Sequence, residues 1–348
     1  MKRRSLFTLT GLGLLGTAGL GACGQQNTSD GASSPAGSPS MIDALRVHVP
    51  TTLAFMAPMA SFGSLGKLDG LVGPVDVQNW ASVDVLRSLL INNETDLAAS
   101  PSYASANLFN KGVPVRLVAI TVWGMLYVLG PEGTEAAGID SLKGKTVGVP
   151  VPNNTPDLVF RYLLKQKGIS AEGGADGVEI ASYNQADELA SVLQAGQVDY
   201  AVLPEHAATA VQAKAKQAGK TLERTVNLQE VWAEVTGGQP RFPMAGVVMP
   251  AALADANPAL VGGVLNELEA SVEKVNALDP EALAKITAAT EVPEPVVTGV
   301  IPRLQLTVVP AAQARQELED FYTRLTELNP DIVGGKMPDD TFYLADPR

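Results

Sequence analysis

Chemistry in this chain has few places to come from. Its 348 residues hold one cysteine, Cys23, and two histidines, His48 and His206. Disulfides, thiol nucleophiles and Cys/His metal sites therefore lack partners, and no metal or cofactor is expected. No G-x-S-x-G, H-E-x-x-H or calcium-loop pattern occurs, so hydrolase triads and metal-assisted hydrolysis lack their residues. Gly11-Leu12-Gly13-Leu14-Leu15-Gly16 spells G-x-G-x-x-G, but it sits inside an apolar run with no strand before it, and is not a dinucleotide site. What remains is recognition chemistry. It rests on polar and aromatic groups: Thr51, Thr52 and Phe55; Ser100, Pro101, Ser102 and Tyr103; Trp123; Asn153, Asn154 and Thr155; Glu205 and His206; and Arg241.

Cys23 closes a layout of its own. A basic start (Lys2, Arg3, Arg4) precedes an apolar stretch over 6–20, too short to span a bilayer, and then Leu20-Gly21-Ala22-Cys23. The layout resembles a bacterial lipoprotein signal, which implies removal of residues 1–22 and acylation of Cys23, for instance with palmitate. Arg3-Arg4-Ser5-Leu6-Phe7 resembles a twin-arginine export signal, and reads equally well as an ordinary basic start. Residues 23–42 are rich in Gly, Ser, Pro, Ala and Gln, as a flexible tether is. About 18 such residues reach about 25 Å, enough to hold a body clear of a membrane surface.

Residues 43–348 are long enough for two lobes, and no further apolar stretch approaches the ~20 residues of a spanning helix. Loss of the basic signal takes the formal charge from −12 to −15. Such an acidic body argues against nucleic acid and against a basic face on anionic lipid.

The elements that must position the polar groups alternate between strand and helix. Residues 45–49 predict a strand, Pro50-Thr51-Thr52 a turn, and a helix follows from Leu53. Residues 75–77 predict a strand, and 83–91 an amphipathic helix with Val83, Leu86, Leu89 and Leu90 on one stripe. A small-residue helix follows Tyr103; 113–120 and 126–129 read as buried strands, and Gly130-Pro131-Glu132-Gly133 as a hinge. The pattern then restarts with a strand at 146–149, a loop at 150–155 and a helix at 158–167 with Pro156 near its start. A helix at 186–195, a strand at 198–203 and a return strand at 242–249 come next, then helices at 258–278, 280–290 and 311–328. The alternation predicts an α/β fold with helices on both sheet faces.

In this order the pieces resemble the type 2 periplasmic-binding-protein fold, and most of all the nitrate/sulfonate/taurine and thiamine-precursor group of ABC-transporter binding proteins. Four stretches carry the likeness over roughly residues 44–270. They are Asp96 to Tyr103 with Lys111-Gly112-Val113-Pro114-Val115-Arg116; Ser141-Leu142-Lys143-Gly144-Lys145-Thr146-Val147-Gly148-Val149; Leu193-Gln194-Ala195-Gly196-Gln197-Val198-Asp199-Tyr200-Ala201; and Pro204-Glu205-His206. The chain departs from the group at Pro152-Asn153-Asn154-Thr155-Pro156, where many relatives carry a Ser/Gly-rich turn. The resemblance implies one lobe from 43–131 and 243–348, a second from 132–242, and a ligand cleft between them.

In such a fold, ligands sit at the carboxyl ends of the strands. Thr51 and Thr52, beside Phe55, then offer hydroxyls and a helix N-terminus, as do Ser100 and Ser102 beside Pro101 and Tyr103; helix capping is the alternative use. Asn153, Asn154 and Thr155 suit capture of an anion, or an Asx-turn. Trp123 and Tyr127 could stack on a ring or belong to the core. Glu205 and His206 could bind an amine or pyrimidine nitrogen, or start a helix; Arg241 could clamp a carboxylate or sulfonate, or lie on the surface. His48 is expected to be structural. The resemblance implies a monomeric, lipid-anchored extracytoplasmic protein that breaks no bond. It would capture a sulfonate, a nitrate-like anion or a heterocyclic vitamin precursor for ABC permease subunits. The scarcity of basic residues in the loops favours the neutral heterocycle. Two other readings are a solute sensor and a pyrimidine-synthase-like enzyme on the same fold, though that enzyme needs a cysteine-rich motif absent here.

Overall fold

A strand buried on both faces needs apolar residues along its length, and in Leu45-Arg46-Val47-His48-Val49 all but Arg46 are buried. This run forms β1 (Leu45–Pro50), followed by α1 (Leu53–Met59), β2 (Val75–Trp80), α2 (Val83–Ile91), β3 (Leu97–Pro101), α3 (Ser102–Asn110) and β4 (Val115–Val122). The computed structural model describes residues 42–348. Cys23, the apolar stretch before it and the tether as far as Met41 lie outside the described residues. Ile42, expected in the tether, instead bridges Val72 and donates its N–H to the Leu71 carbonyl at 3.1 Å.

The chain next forms β5 (Leu126–Pro131), β6 (Lys145–Pro150), α4 (Thr155–Gln166), β7 (Val178–Tyr183), α5 (Ala186–Ala195), β8 (Tyr200–Pro204), α6 (Glu205–Gln217), β9 (Leu222–Asn227) and α7 (Leu228–Thr236). It then returns through β10 (Ala245–Pro250), α8 (Ala251–Ala256), α9 (Pro258–Asn276), α10 (Pro280–Thr290), α11 (Glu294–Val300), β11 (Leu306–Pro310) and α12 (Ala311–Thr326). Two sheets result, β11-β4-β10-β3-β1-β2 and β7-β6-β8-β5-β9. β1 lies parallel to β2 and β3, and β6 lies parallel to β7 and β8. In each sheet the strand arriving from the other lobe runs antiparallel to the third of these: β10 beside β3, and β5 beside β8. The fold is two-lobed α/β, and the second lobe repeats the strand–helix order of the first.

The crossing between lobes is not at Gly130–Gly133. Leu126–Pro131 already belongs to the second sheet, so the outward crossing is Trp123-Gly124-Met125 and the expected boundary at 131/132 moves back. Gly130 is a packing glycine within β5: a Cβ there would come within 2.4 Å of Thr225 Oγ1 and 2.6 Å of the Tyr200 ring. Gly124 has the matching constraint in the crossing itself, where a Cβ would meet the Gln305 amide at 2.9 Å and Gln229 Cγ at 3.1 Å. The outward and return segments bond to each other, Phe242 N–H donating to the Trp123 carbonyl at 2.9 Å and Met244 N–H to the Val122 carbonyl at 3.0 Å.

Two features hold the crossings. Tyr162 on α4, Trp232 on α7, Phe242 on the return segment and Phe321 on α12 form one aromatic cluster, with centroids 5.4 Å (Tyr162–Trp232), 5.4 Å (Trp232–Phe242) and 5.7 Å (Phe242–Phe321) apart. Such pairs add about 0.5–1.5 kcal/mol each beyond burial, and these join α12 to helices of the second lobe. Gln229, fully buried, accepts from Met125 N–H at 3.2 Å and Leu126 N–H at 2.9 Å, and donates to the Leu126 carbonyl at 3.0 Å. Gln229→Ala leaves these N–H groups without that acceptor, at about 1–3 kcal/mol for an orphaned buried group. Urea unfolding should show a loss of that order; wild-type stability would show that the amide does not hold the crossing.

Candidate functional site

The carboxyl ends of the parallel strands in both lobes meet around a cavity of about 180 Å³. Phe55, Pro101 and Tyr103 line it from the first lobe, and Val151, Asn154, Thr155 and Pro156 from the second. The two crossings complete it with Met125 and Met244. These methionines occupy equivalent places, each just before an arriving antiparallel strand. The first N–H of a helix has no partner within that helix. Here Ser102 N–H, opening α3, donates to the Met244 carbonyl at 3.0 Å, and Glu205 N–H, opening α6, donates to the Met125 carbonyl at 2.7 Å.

The second-lobe wall is held in an unusual backbone. Val151 has φ 52° and Asn153 φ 64°, both left-handed, and for a β-branched valine that is a strained position. Val151 N–H donates to the Tyr183 carbonyl at 2.8 Å, and Asn153 N–H to the Asp157 carboxylate at 2.9 Å. Arg161 holds the other Asp157 oxygen at 2.6 Å. Asn154 stands at the N-cap of α4 but its side chain makes no capping bond, and buried Thr155 Oγ1 has no partner among the described residues. On the facing lobe, burial pushes the Tyr103 phenol up to about 12, so it is a neutral donor at ordinary pH.

Five of the residues expected from sequence therefore meet in one cavity: Phe55, Pro101, Tyr103, Asn154 and Thr155. The others lie elsewhere. Thr51 and Thr52 are exposed ahead of α1; the Thr52 carbonyl accepts from Phe55 and Met56 N–H, and its hydroxyl caps nothing. Asn153 is exposed, its carbonyl accepting from Asn329 at 3.2 Å. Ser100 and Ser102 are fully buried and serve the fold: the Ser102 hydroxyl donates to the Pro243 carbonyl at 2.5 Å, and the Ser100 hydroxyl to the Pro101 carbonyl at 3.2 Å.

Trp123 is buried and donates from Nε1 to the Thr307 carbonyl at 2.9 Å. Arg241 lies 4.2 Å from that indole ring and clamps Glu317 at 2.9 and 2.5 Å, so its fork is already occupied. It lines a separate cavity of about 430 Å³, where Arg324 is likewise paired with Asp320 at 2.8 Å. Glu205 is fully buried against Arg224 at 2.5 Å, Thr209 at 2.6 Å and Arg303 at 3.3 Å, a structural network. His206 does not line the cavity; its Nδ1 is buried without a partner among the described residues. Sequence reasoning missed Met125, Met244, Val151 and Pro156 as cavity residues. The methionines carried no local signal, since only the sheet topology brings the two crossings side by side.

This arrangement defines a two-lobed α/β fold with a cavity lined from both lobes. Residues 50–290, more than half of the chain, match the NMT1-like family, and the chain belongs to that family. No curated protein matches it. Among solved structures it is similar to an ABC transporter protein from Parabacteroides distasonis, at 24% identity and TM-score 0.70 over 88% of this chain and 99% of that one. It is similar to the periplasmic aliphatic sulphonate binding protein SsuA from Escherichia coli, at 16% identity and TM-score 0.64 over 85% of this chain and 92% of that one. The periplasmic nitrate-binding protein NrtA from Synechocystis PCC 6803 aligns at 15% identity and TM-score 0.52, over 74% of this chain and 70% of that one. Among the described residues no helix is long and apolar enough to cross a membrane.

Burial lowers the pKa of both His48 and His206, so the fold favours their neutral forms. The unfolded chain then binds more protons below about pH 6.5, and stability present above that value is lost as pH falls. Thermal unfolding should therefore shift down between pH 7.5 and pH 5, and the shift should shrink in His206→Gln. An equal shift in that variant would remove His206 from the effect.

Proposed function

We propose that this protein is the extracytoplasmic solute receptor of an ABC importer. It captures a small molecule by closing its two lobes on the cavity at Tyr103 and Asn154, then presents it to membrane permease subunits. One observation carries the reading: a single cavity draws residues from both lobes and from both crossings. A solute held there touches everything that must move, so its binding favours the closed arrangement. No step breaks a bond. The cavity wall offers a phenol and an amide, and its chemistry is that of holding. Cys23 carries the lipid, and the residues after it tether the body to the membrane as a monomer. The solute-binding proteins similar in fold support the general role, and the NMT1-like match places it in a compatible family.

A bound solute stabilises the folded state by mass action, about 2.7 kcal/mol at a concentration 100-fold above its Kd. A thermal-shift screen of small organic solutes and inorganic anions, each also assayed for turnover, should find a stabilising ligand without product. Asn154→Ala should reduce that stabilisation, since it removes an amide that no other described residue uses. Turnover of any compound would replace the receptor with an enzyme. A shift unchanged by Asn154→Ala would place the solute elsewhere.

A further inference from the structure

We infer, building on the solute-receptor reading, that the cleft selects an uncharged solute built on a single ring and rejects oxyanions. Size is the first argument. An apolar cavity of about 150 Å³ holds benzene, whereas sites for drug-sized ligands run to about 300–1,000 Å³. At about 180 Å³ this cavity fits one ring and a short substituent. The wall is the second argument. Phe55 and Tyr103 supply flat faces, and Met125 and Met244 supply polarizable thioethers that favour contact with aromatic rings.

Charge is the third argument, and it decides the class. The lining contains no Asp, Glu, Lys, Arg or His. A buried charge without a partner is expensive, so an oxyanion would need helix N–H groups in place of a cation. Those are compromised on both sides. On α4, Pro156 has no N–H and the Asp157 carboxylate stands in the first turn. On α3, the first N–H is already given to the Met244 carbonyl. The nearby cation Arg241 lines a different cavity and is held by Glu317. What the cleft offers is neutral: the Tyr103 phenol from one lobe and the Asn154 amide from the other, with the Thr155 hydroxyl buried in the wall. An amide both donates and accepts, which suits the polar edge of a ring or a neutral substituent on it.

Isosteric pairs test the class, because they hold the ring and change the charge. The purified full chain is titrated calorimetrically with benzenesulfonamide against benzenesulfonate, nicotinamide against nicotinate, and nitrate alone. The uncharged member of at least one pair should bind about tenfold or more tightly than its anion. Its Kd should not change between about 0.05 and 0.5 M salt, where a charge contact would weaken. Tyr103→Phe and Asn154→Ala, each checked for wild-type thermal unfolding, should weaken it about fivefold or more. An anion that binds as tightly as its uncharged partner, and loses affinity in Asn154→Ala, overturns the class and leaves the receptor reading standing. Binding by no compound, or binding that neither substitution alters, overturns the class; in the second case the cleft falls with it as the place of capture.

Discussion

Ser102 N–H bonds to the Met244 carbonyl in one lobe, and Glu205 N–H bonds to the Met125 carbonyl in the other. Each bond satisfies a helix-opening donor and fixes an interlobe crossing against the last parallel strand of its sheet. The two methionine backbones are thereby pinned where both sheets end, and their side chains become part of the cavity. Gln229 fastens the outward segment from the second lobe, and the Ser102 hydroxyl fastens the return segment from the first. Interlobe crossing and cavity wall are consequently the same piece of chain. Under the proposed receptor function, a solute in the cavity would act on the crossings themselves.

Charge is distributed to suit this arrangement. The protein is strongly acidic, with a formal net charge of −12, yet the cavity wall is uncharged. Charged groups near the crossings are matched among themselves: Arg241 with Glu317, Arg324 with Asp320, and Glu205 with Arg224 and Arg303. Arg303 follows α11 of the first lobe, while Glu205 opens α6 of the second, so this last network also spans the lobes. Breaking the Glu205–Arg224 pair would cost about 3–5 kcal/mol because it strands a fully buried carboxylate. Arg241–Glu317 and Arg324–Asp320 are part-exposed and contribute about 0–1 kcal/mol each, though their partners still occupy the guanidinium groups.

Much of the fold was legible. The helices at Val83–Ile91, Ala186–Ala195 and Pro280–Thr290 fall where their stripes and caps put them. Strands β7, β9 and β11 were missed: β7 is a part-exposed edge strand, and β9 (Leu-Glu-Arg-Thr-Val-Asn) places its charges in the Glu205 network and beside Thr134. β11 is a short edge strand in a stretch that reads as helices separated by prolines. Gly130-Pro131 read as a hinge because local rules register a breaker but not a close approach across a sheet. The site divided in the same way. Loops after parallel strands could be selected from the strand–helix alternation, which found Phe55, Tyr103, Asn154 and Thr155. Whether a serine points to solvent or to the Pro243 carbonyl, and whether an arginine is free or held by Glu317, depends on partners far away in sequence.

The central claim is that the two lobes close on the cavity at the crossings. The most direct measurement is the distance between spin labels at Thr52→Cys on the first lobe and Pro152→Cys on the second, with Cys23 replaced by serine. Saturation with a solute shown by calorimetry to bind should shorten and narrow the distance distribution. A distribution unchanged by that solute would contradict capture by lobe closure.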